Sequence, residues 1–219
     1  MQTLLQFLKE LKQNNNKEWF NDHRKEYETA KEQMLFFTDL MIQELRKIDS
    51  DIPALSPKDC LFRIFRDVRF SKDKSPYKTN MGSFIAPGGR KSELAGYYVH
   101  FEPGASFIGG GVWCPGPEIL RSIRLEIYNH PESFKEVLYD EDFRRVFPEV
   151  MGEKLKTAPK GFDKEFEDIA LLRYKSYAFG CSLSDEQVLS ADLIDETVEV
   201  FRQLSHMNRF LNDVIGKKK

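Results

Sequence analysis

Apolar residues recur at helical steps through the opening stretch of the chain. Leu4, Leu5, Leu8 and Leu11 form the stripe of a short amphipathic helix. Asn14, Asn15 and Asn16 interrupt it, and Asn15 with Glu18 has the spacing of a capping box. The recurrence resumes over residues 17–48 at Trp19, His23, Tyr27, Ala30, Met34, Phe37, Met41, Leu45 and Ile48. That predicts one long helix with a buried face, His23 on it as a core residue. Pro53 and Pro57 mark residues 49–59 as loop.

The period then shortens. Residues 60–70 read as an extended strand, with Phe62, Ile64, Val68 and Phe70 on one face and Arg66 as the exception among them. Arg63, Asp67 and Arg69 would share the other face. Residues 71–78 should turn, with Pro76 fixing the backbone before Tyr77. Further strands are expected at residues 82–86, 96–101 and 106–113, the last two joined by the Glu102-Pro103-Gly104-Ala105 loop. Helices resume at Pro117, at Pro131 and between Asp140 and Pro148. Residues 173–179 could add a strand, and Ser184 with Gln187 signals a capped terminal helical region ending at Gly216. The basic tail at residues 217–219 suits a helix C-terminus. Helices, a meander and helices again give an α+β fold: an antiparallel sheet of at least four strands flanked by N-terminal and C-terminal helices. The expected organisation is a single domain over residues 1–219, helical at 1–48, sheet at 60–113 and mainly helical at 117–216.

Composition narrows the function classes. The 219 residues are 41% hydrophobic with 18 phenylalanines, enough for a sizeable core. A net charge of -2 argues against a wholesale polyanion binder, so a nucleic-acid role would need a local basic patch. Cys60, Cys114 and Cys181 are scattered and odd in number, which fits reduced thiols. No apolar run is long enough for a signal peptide or a bilayer span, so the chain reads as soluble, cytoplasmic and without a membrane partner.

The oddest segment is CLFRIFRDVRFSKDKSPYKT. Arg63, Arg66, Arg69, Lys72, Lys74 and Lys78 are threaded among Leu61, Phe62, Ile64, Phe65, Val68 and Phe70, with only Asp67 and Asp73 as carboxylates. Guanidinium forks suit phosphate or carboxylate, so Arg63, Arg66, Arg69, Lys74 and Lys78 are candidate ligand-binding residues for an anionic partner. An internal salt-bridge network is the competing account, but pairing within the segment leaves a positive surplus. Arg63, Arg66-Asp67-Val68-Arg69-Phe70, Asp73-Lys74 and Tyr77-Lys78 resemble the largely bacterial family catalogued as domain of unknown function 2461. The Gly96-Tyr97-Tyr98 to Gly109-Gly110-Gly111 hairpin and the opening FLKELKQNNNKEWFNDHRKEY are similar to it too. The resemblance implies a compact α+β domain and brings no activity, cofactor or partner with it.

Other constellations are weaker. Gly109, Gly110 and Gly111 mark a close backbone or helix approach, or else a floor for a flat ligand edged by Tyr97 or Trp113. They do not form a Walker or GxGxxG loop. His23, His100, His130 and His206 make no HExxH or paired spacing, so no metal or other cofactor is signalled. Asp67 and Asp73 among so many cations are a poor cation site. Arg173-Tyr174-Lys175-Ser176-Tyr177 alternates base and aromatic, as nucleic-acid surfaces and half-buried strands both do. Two functions follow. One is a module binding a phosphate-bearing small molecule or nucleic acid. The other is an enzyme on an anionic small molecule, with Asp67, His100 and Tyr77 as candidate catalytic residues for proton transfer.

Overall fold

The computed structural model describes residues 1–216; the basic tail expected at residues 217–219 lies outside the described residues. Helix α1 (Gln2–Gln13) buries Leu4, Leu5, Phe7, Leu8 and Leu11. Met1 offers no side-chain cap, and the Leu4 N–H instead donates to Gln33 Oε1 at 3.0 Å, from the helix α1 packs against. Helix α2 (Lys17–Asp22) is capped by Asn16, whose Oδ1 accepts the Trp19 N–H at 3.0 Å. The cap is therefore Asn16 and not Asn15. Helix α3 (Arg24–Ile48) buries Tyr27, Ala30, Met34, Phe37, Met41, Ile42 and Leu45. The single helix expected over residues 17–48 breaks at His23. Its ring stacks on Trp19 at 4.0 Å and its Nδ1 lies 2.9 Å from the Trp19 carbonyl, so it is a half-buried hinge and not a core residue.

Helix α4 (Pro57–Cys60) starts on a first-turn proline where loop was expected. Strands β1 (Met81–Ile85), β2 (Gly96–Phe101), β3 (Ser106–Val112) and β4 (Tyr177–Leu183) form an antiparallel sheet in that order. The α+β class and its flanking helices are as expected. Two strands are not. Residues 60–70 form no strand: only isolated antiparallel bridges, Leu61 with Ser83 and Phe65 with Tyr77, remain of it. The last strand begins at Tyr177, because Arg173 is the αR C-cap of helix α8 (Ile169–Leu172). Helices α5 (Pro117–Asn129), α6 (Pro131–Leu138) and α7 (Glu141–Val146) precede α8. Helices α9 (Asp185–Leu189) and α10 (Leu193–Gly216) follow β4, and Ser184 and Gln187 close the expected capping box.

The described chain forms two compact units. The first comprises Met1–Lys91, Tyr98–Ile108 and Ser182–Val198. Its core joins the faces of α1 and α3 to Phe20 and Phe101, with Phe37 edge-on to Phe101 at 5.2 Å. Each such ring, fully buried, contributes roughly 1.5–3 kcal/mol by leaving water. The second comprises residues 92–97, 109–181 and 199–216. There Tyr97 packs on Phe201 at 5.1 Å, and Asn208 Nδ2 donates to the Gly96 carbonyl at 3.1 Å. A Cβ on Gly109 or Gly111 would strike the β4 carbonyls of Phe179 and Tyr177, and one on Gly110 the Gly96 carbonyl and Leu204. Close backbone and helix approach thus accounts for the three glycines. Tyr97, fully buried, edges no ligand floor.

Candidate functional site

Residues 61–80 lie wholly in the first unit. The run begins as an edge beside β1, with the Phe62 N–H donating to the Gly82 carbonyl at 3.0 Å. It continues against its own return, where Arg66 N–H donates to Pro76 O at 2.9 Å and Lys78 N–H to Ile64 O at 2.8 Å. Beyond Arg66 the side chains take over the backbone groups a strand would have used. Asp67 Oδ1 accepts the Arg69 N–H at 3.2 Å, Asp73 Oδ1 accepts the Ser75 N–H at 2.9 Å, and Lys74 Nζ donates to Val68 O at 2.9 Å. Arg66 bridges the loop's neck: its guanidinium pairs with Asp73 and donates to Ser75 O at 3.2 Å and Ser71 Oγ at 3.4 Å. Alternation fails accordingly, and Phe70, expected inward, is 95% exposed.

Asn15, left free by Asn16's capping, grips the return strand of this loop. Its Oδ1 accepts the Tyr77 N–H at 3.1 Å and its Nδ2 donates to the Tyr77 carbonyl at 2.9 Å. The Tyr77 ring is buried and stacks on Phe20 at 4.0 Å. Above that fixed backbone opens a polar pocket of about 380 Å³, lined by Lys12, Asn15, Arg66, Asp73, Ser75, Tyr77, Lys78, Thr79 and Asn80. Its two lysines differ in setting. Lys12 is a surface side chain 3.9 Å from Glu102. Lys78 is half-buried with its Nζ 5.6 Å from the Phe62 ring centre, and has no ion pair among the described residues. Burial lowers the Lys78 pKa from its ordinary value, and the Arg63 charge lowers it further.

A second cluster sits beside this pocket. Tyr98, His100 and Glu102 alternate along β2 and its end, so they share a face, while Val99 and Phe101 are buried on the other. Tyr98 Oη lies 3.0 Å from His100 Nδ1, and His100 Nε2 lies 3.3 Å from Glu102 Oε2. With a carboxylate facing Nε2, a neutral imidazole carries its proton there and Nδ1 accepts the Tyr98 hydroxyl. Glu102 Oε1 accepts from Thr79 Oγ1 at 2.9 Å, which ties the chain to the pocket lining. Burial lowers the His100 pKa against the raising influence of Glu102, and Lys78 also lowers it. Burial, then the Glu102 charge, pushes the Tyr98 phenol up to about 12. Gly82 leaves room for that phenol, since a Cβ there would stand 2.7 Å from Tyr98 Oη.

Of the residues singled out from sequence, Arg66, Tyr77 and Lys78 come together in the pocket. Arg69 is exposed and forked onto Asp67 at 2.9 and 2.7 Å, which holds the Asp67 carboxyl below its ordinary range. Arg63 is exposed, with no hydrogen bond or ion pair among the described residues. Lys74 is spent on a backbone carbonyl. His100 lies in the adjoining cluster. Sequence reasoning missed Lys12, Asn15, Thr79, Tyr98 and Glu102. A signal existed for the last two: Tyr-Val-His-Phe-Glu places three polar groups on one face of a strand. In the second unit, Lys175 pairs with Glu153 at 2.6 Å and Lys154 stands 4.5 Å over the Tyr174 ring, so this base–aromatic alternation belongs to that unit's own packing.

Among the described residues no helix is long and apolar enough to cross a membrane, and no group of three or more His, Cys, Asp or Glu could hold a metal ion. The family model described as conserved hypothetical protein (DUF2461) matches residues 3–210, nearly the whole chain. The chain belongs to that family. No curated protein and no solved structure matches it.

Proposed function

We propose that the chain binds an anionic, phosphate-bearing ligand in the pocket lined by Lys12, Arg66 and Lys78. The observation that carries this reading is Lys78. It is a half-buried ammonium in the field of a second cation, Arg63, with no ion pair among the described residues and an open polar cavity before it. A cation so placed lowers its free energy when an anion arrives. Lys12 supplies a second positive group, and Ser75, Thr79 and Asn80 line the same space with hydroxyl and amide donors. Arg66 shapes the wall; with Asp73 bound, its charge is largely met. Arg63, Arg69 and Lys74 lie outside the lining and act as a field drawing anions toward it. Cys60, Cys114 and Cys181 form no disulfide among the described residues, which suits a reducing compartment such as the cytoplasm.

Titration calorimetry with inorganic pyrophosphate tests the reading. Lys78→Met and Lys12→Met should each weaken binding about tenfold, on the scale of one charge-assisted contact. Equal affinity in wild type and both variants rejects the pocket.

A second reading has its own observation. The Tyr98–His100–Glu102 chain touches the pocket through Thr79, as an acid–base group serving a bound anion would. Of the expected set of Asp67, His100 and Tyr77, His100 is the member this favours: Asp67 is engaged by Arg69 and Tyr77 is stacked inward. Turnover of a phosphate ester that is lost in both His100→Gln and Glu102→Gln, with pyrophosphate affinity kept, would support it; no turnover in wild type would leave binding as the function.

A further inference from the structure

Phe70 is the most exposed large apolar side chain among the described residues, at 95%. It stands at the tip of a loop that is pinned from within. Arg66 ties the neck through Asp73, Ser75 and Ser71; Lys74 reaches back to Val68; Asp67 holds Arg69 by backbone and side chain. A loop so tied has already met much of the entropic cost of presenting its tip. The Arg69 guanidinium, paired with Asp67, is 5.8 Å from the ring centre, and Lys72 is exposed two residues on in the chain. Arg63, Arg66, Arg69, Lys72, Lys74 and Lys78 face only Asp67 and Asp73 as carboxylates across this segment, on a chain whose formal net charge is -2.

We propose that this loop is a docking surface for single-stranded nucleic acid. Phe70 stacks on a base, Lys72 takes a flanking phosphate, and the strand's next phosphates descend into the pocket of Lys78 and Lys12. The inference rests on the pocket reading and names its ligand. Charge and shape select this occupant. A protein hot spot places an aromatic anchor inside an apolar surround that excludes water. Here the chain neighbours of Phe70 are Arg69, Ser71 and Lys72. A membrane surface would need more inserted apolar area than one ring supplies. Base stacking needs one π-face, tolerates any base, and uses each neighbouring cation for backbone phosphate.

The test uses the full chain, a labelled oligothymidylate and oligouridylate of about twelve nucleotides, and inorganic pyrophosphate. Wild type should bind an oligonucleotide tighter than pyrophosphate, with affinity falling steeply as salt rises. Phe70→Ala should weaken the oligonucleotide about tenfold or more and leave the salt slope, pyrophosphate affinity and melting temperature unchanged. Phe70→Trp should keep wild-type binding, and Lys72→Ala should flatten the slope. Oligonucleotide bound no tighter than pyrophosphate, or bound equally by Phe70→Ala, overturns the proposal. So does Phe70-dependent binding to vesicles rich in anionic lipid without oligonucleotide binding. Pyrophosphate affinity that depends on Lys78 keeps the pocket reading in each of those cases, whereas failure of both probes ends both.

Discussion

In residues 61–78 the basic side chains stay outside the core, Arg66 and Lys78 lining a pocket, whereas in residues 173–183 the aromatics go inward and backbone hydrogen bonds organise the rest. The two stretches start alike, with arginine and lysine interleaved among rings. In the second, Tyr177 is fully buried and its hydroxyl donates to the Leu171 carbonyl at 2.9 Å, Ser176 accepts the Cys114 N–H at 2.9 Å, and a strand runs on from Tyr177. Lys175 finds Glu153, while Arg173 keeps a buried Nε without a partner among the described residues. In the first, Asp67 and Asp73 each bond a backbone N–H two residues on, and the ladder stops at Arg66. Both interleave bases with rings, but only the first carries short acidic side chains, and these compete for the backbone. Where they do, the chain forms a stapled loop and leaves cations facing solvent.

The strongest way to break the comparison is to remove the strand from the second stretch. Gly109→Ala drives a Cβ into the Phe179 carbonyl of β4, a contact with backbone that cannot swing aside. The expected loss is about 3 kcal/mol or more, at the severe end for a single substitution. Denaturant unfolding reads it, and a loss under about 1 kcal/mol would mean the sheet yields more readily than its packing implies.

Next in size is the tether of the first stretch. Asn15→Ala leaves the Tyr77 N–H and carbonyl to find water, at a cost of about 1–3 kcal/mol. Asn15→Asp keeps the acceptor and loses the donor, so it should fall between. If both variants match wild type in stability, the pocket floor is held by the Phe20–Tyr77 stack and not by the amide.

Lys78 sharpens the contrast with little effect on stability. Removing a desolvated ammonium that sits beside Arg63 should change unfolding free energy by less than about 1 kcal/mol, or raise it slightly, because no ion pair is lost. Pyrophosphate should raise the Lys78 pKa, since an anion offsets both causes of its depression, and side-chain NMR titration reads that shift. Lys175→Met, which breaks an exposed pair with Glu153, should alter neither property. A Lys78 pKa unmoved by pyrophosphate would place the anion elsewhere.

These residues also show what the sequence could and could not convey. Helical periodicity located α1, α3, α5 and α6, because a buried stripe repeats over several turns and survives local exceptions. The β2–β3 hairpin was legible for the same reason, with Gly104 at φ 76° in its loop. Residues 60–70 misled because alternation assumes a backbone free to ladder, while Asp67, Asp73 and Lys74 bond to it over two to six residues. The site was half visible. Arg66 and Lys78 belong to one basic segment, but Lys12 and Asn15 arrive from the end of α1, and no local pattern announces such a meeting. Three consecutive asparagines hinted at more than a cap, and their division of labour appears only once Tyr77 is beside them.

The smallest expected effect concerns His100. Its ring is enclosed by Phe107, stacked at 4.7 Å, by Tyr98 and Glu102 on its two nitrogens, and by the nearby Lys78 charge. Burial leads the causes, so the folded-state pKa lies below the ordinary 6.5 even though Glu102 pulls the other way. As pH falls through 6.5 the unfolded chain takes up this proton first, and the unfolded state gains relative to the fold. Stability should therefore decline as pH falls below about 6.5, and a separate acid limb should begin near pH 4, where the unfolded chain takes up protons that Asp67 and Asp73, both held low in the fold, do not yet accept. His100→Gln should flatten the upper limb and leave the acid limb in place, which denaturant midpoints across pH would show. An upper limb of opposite slope would mean the Glu102 contact outweighs burial and that His100 sits in the fold as a cation. The chain from Tyr98 would then be a charged pair beside the phosphate pocket, adding a third positive group to Lys12 and Lys78. Because that outcome would strengthen anion binding at acid pH while the neutral one would not, pyrophosphate affinity measured at about pH 7 and about pH 5 in the same two proteins separates the cases.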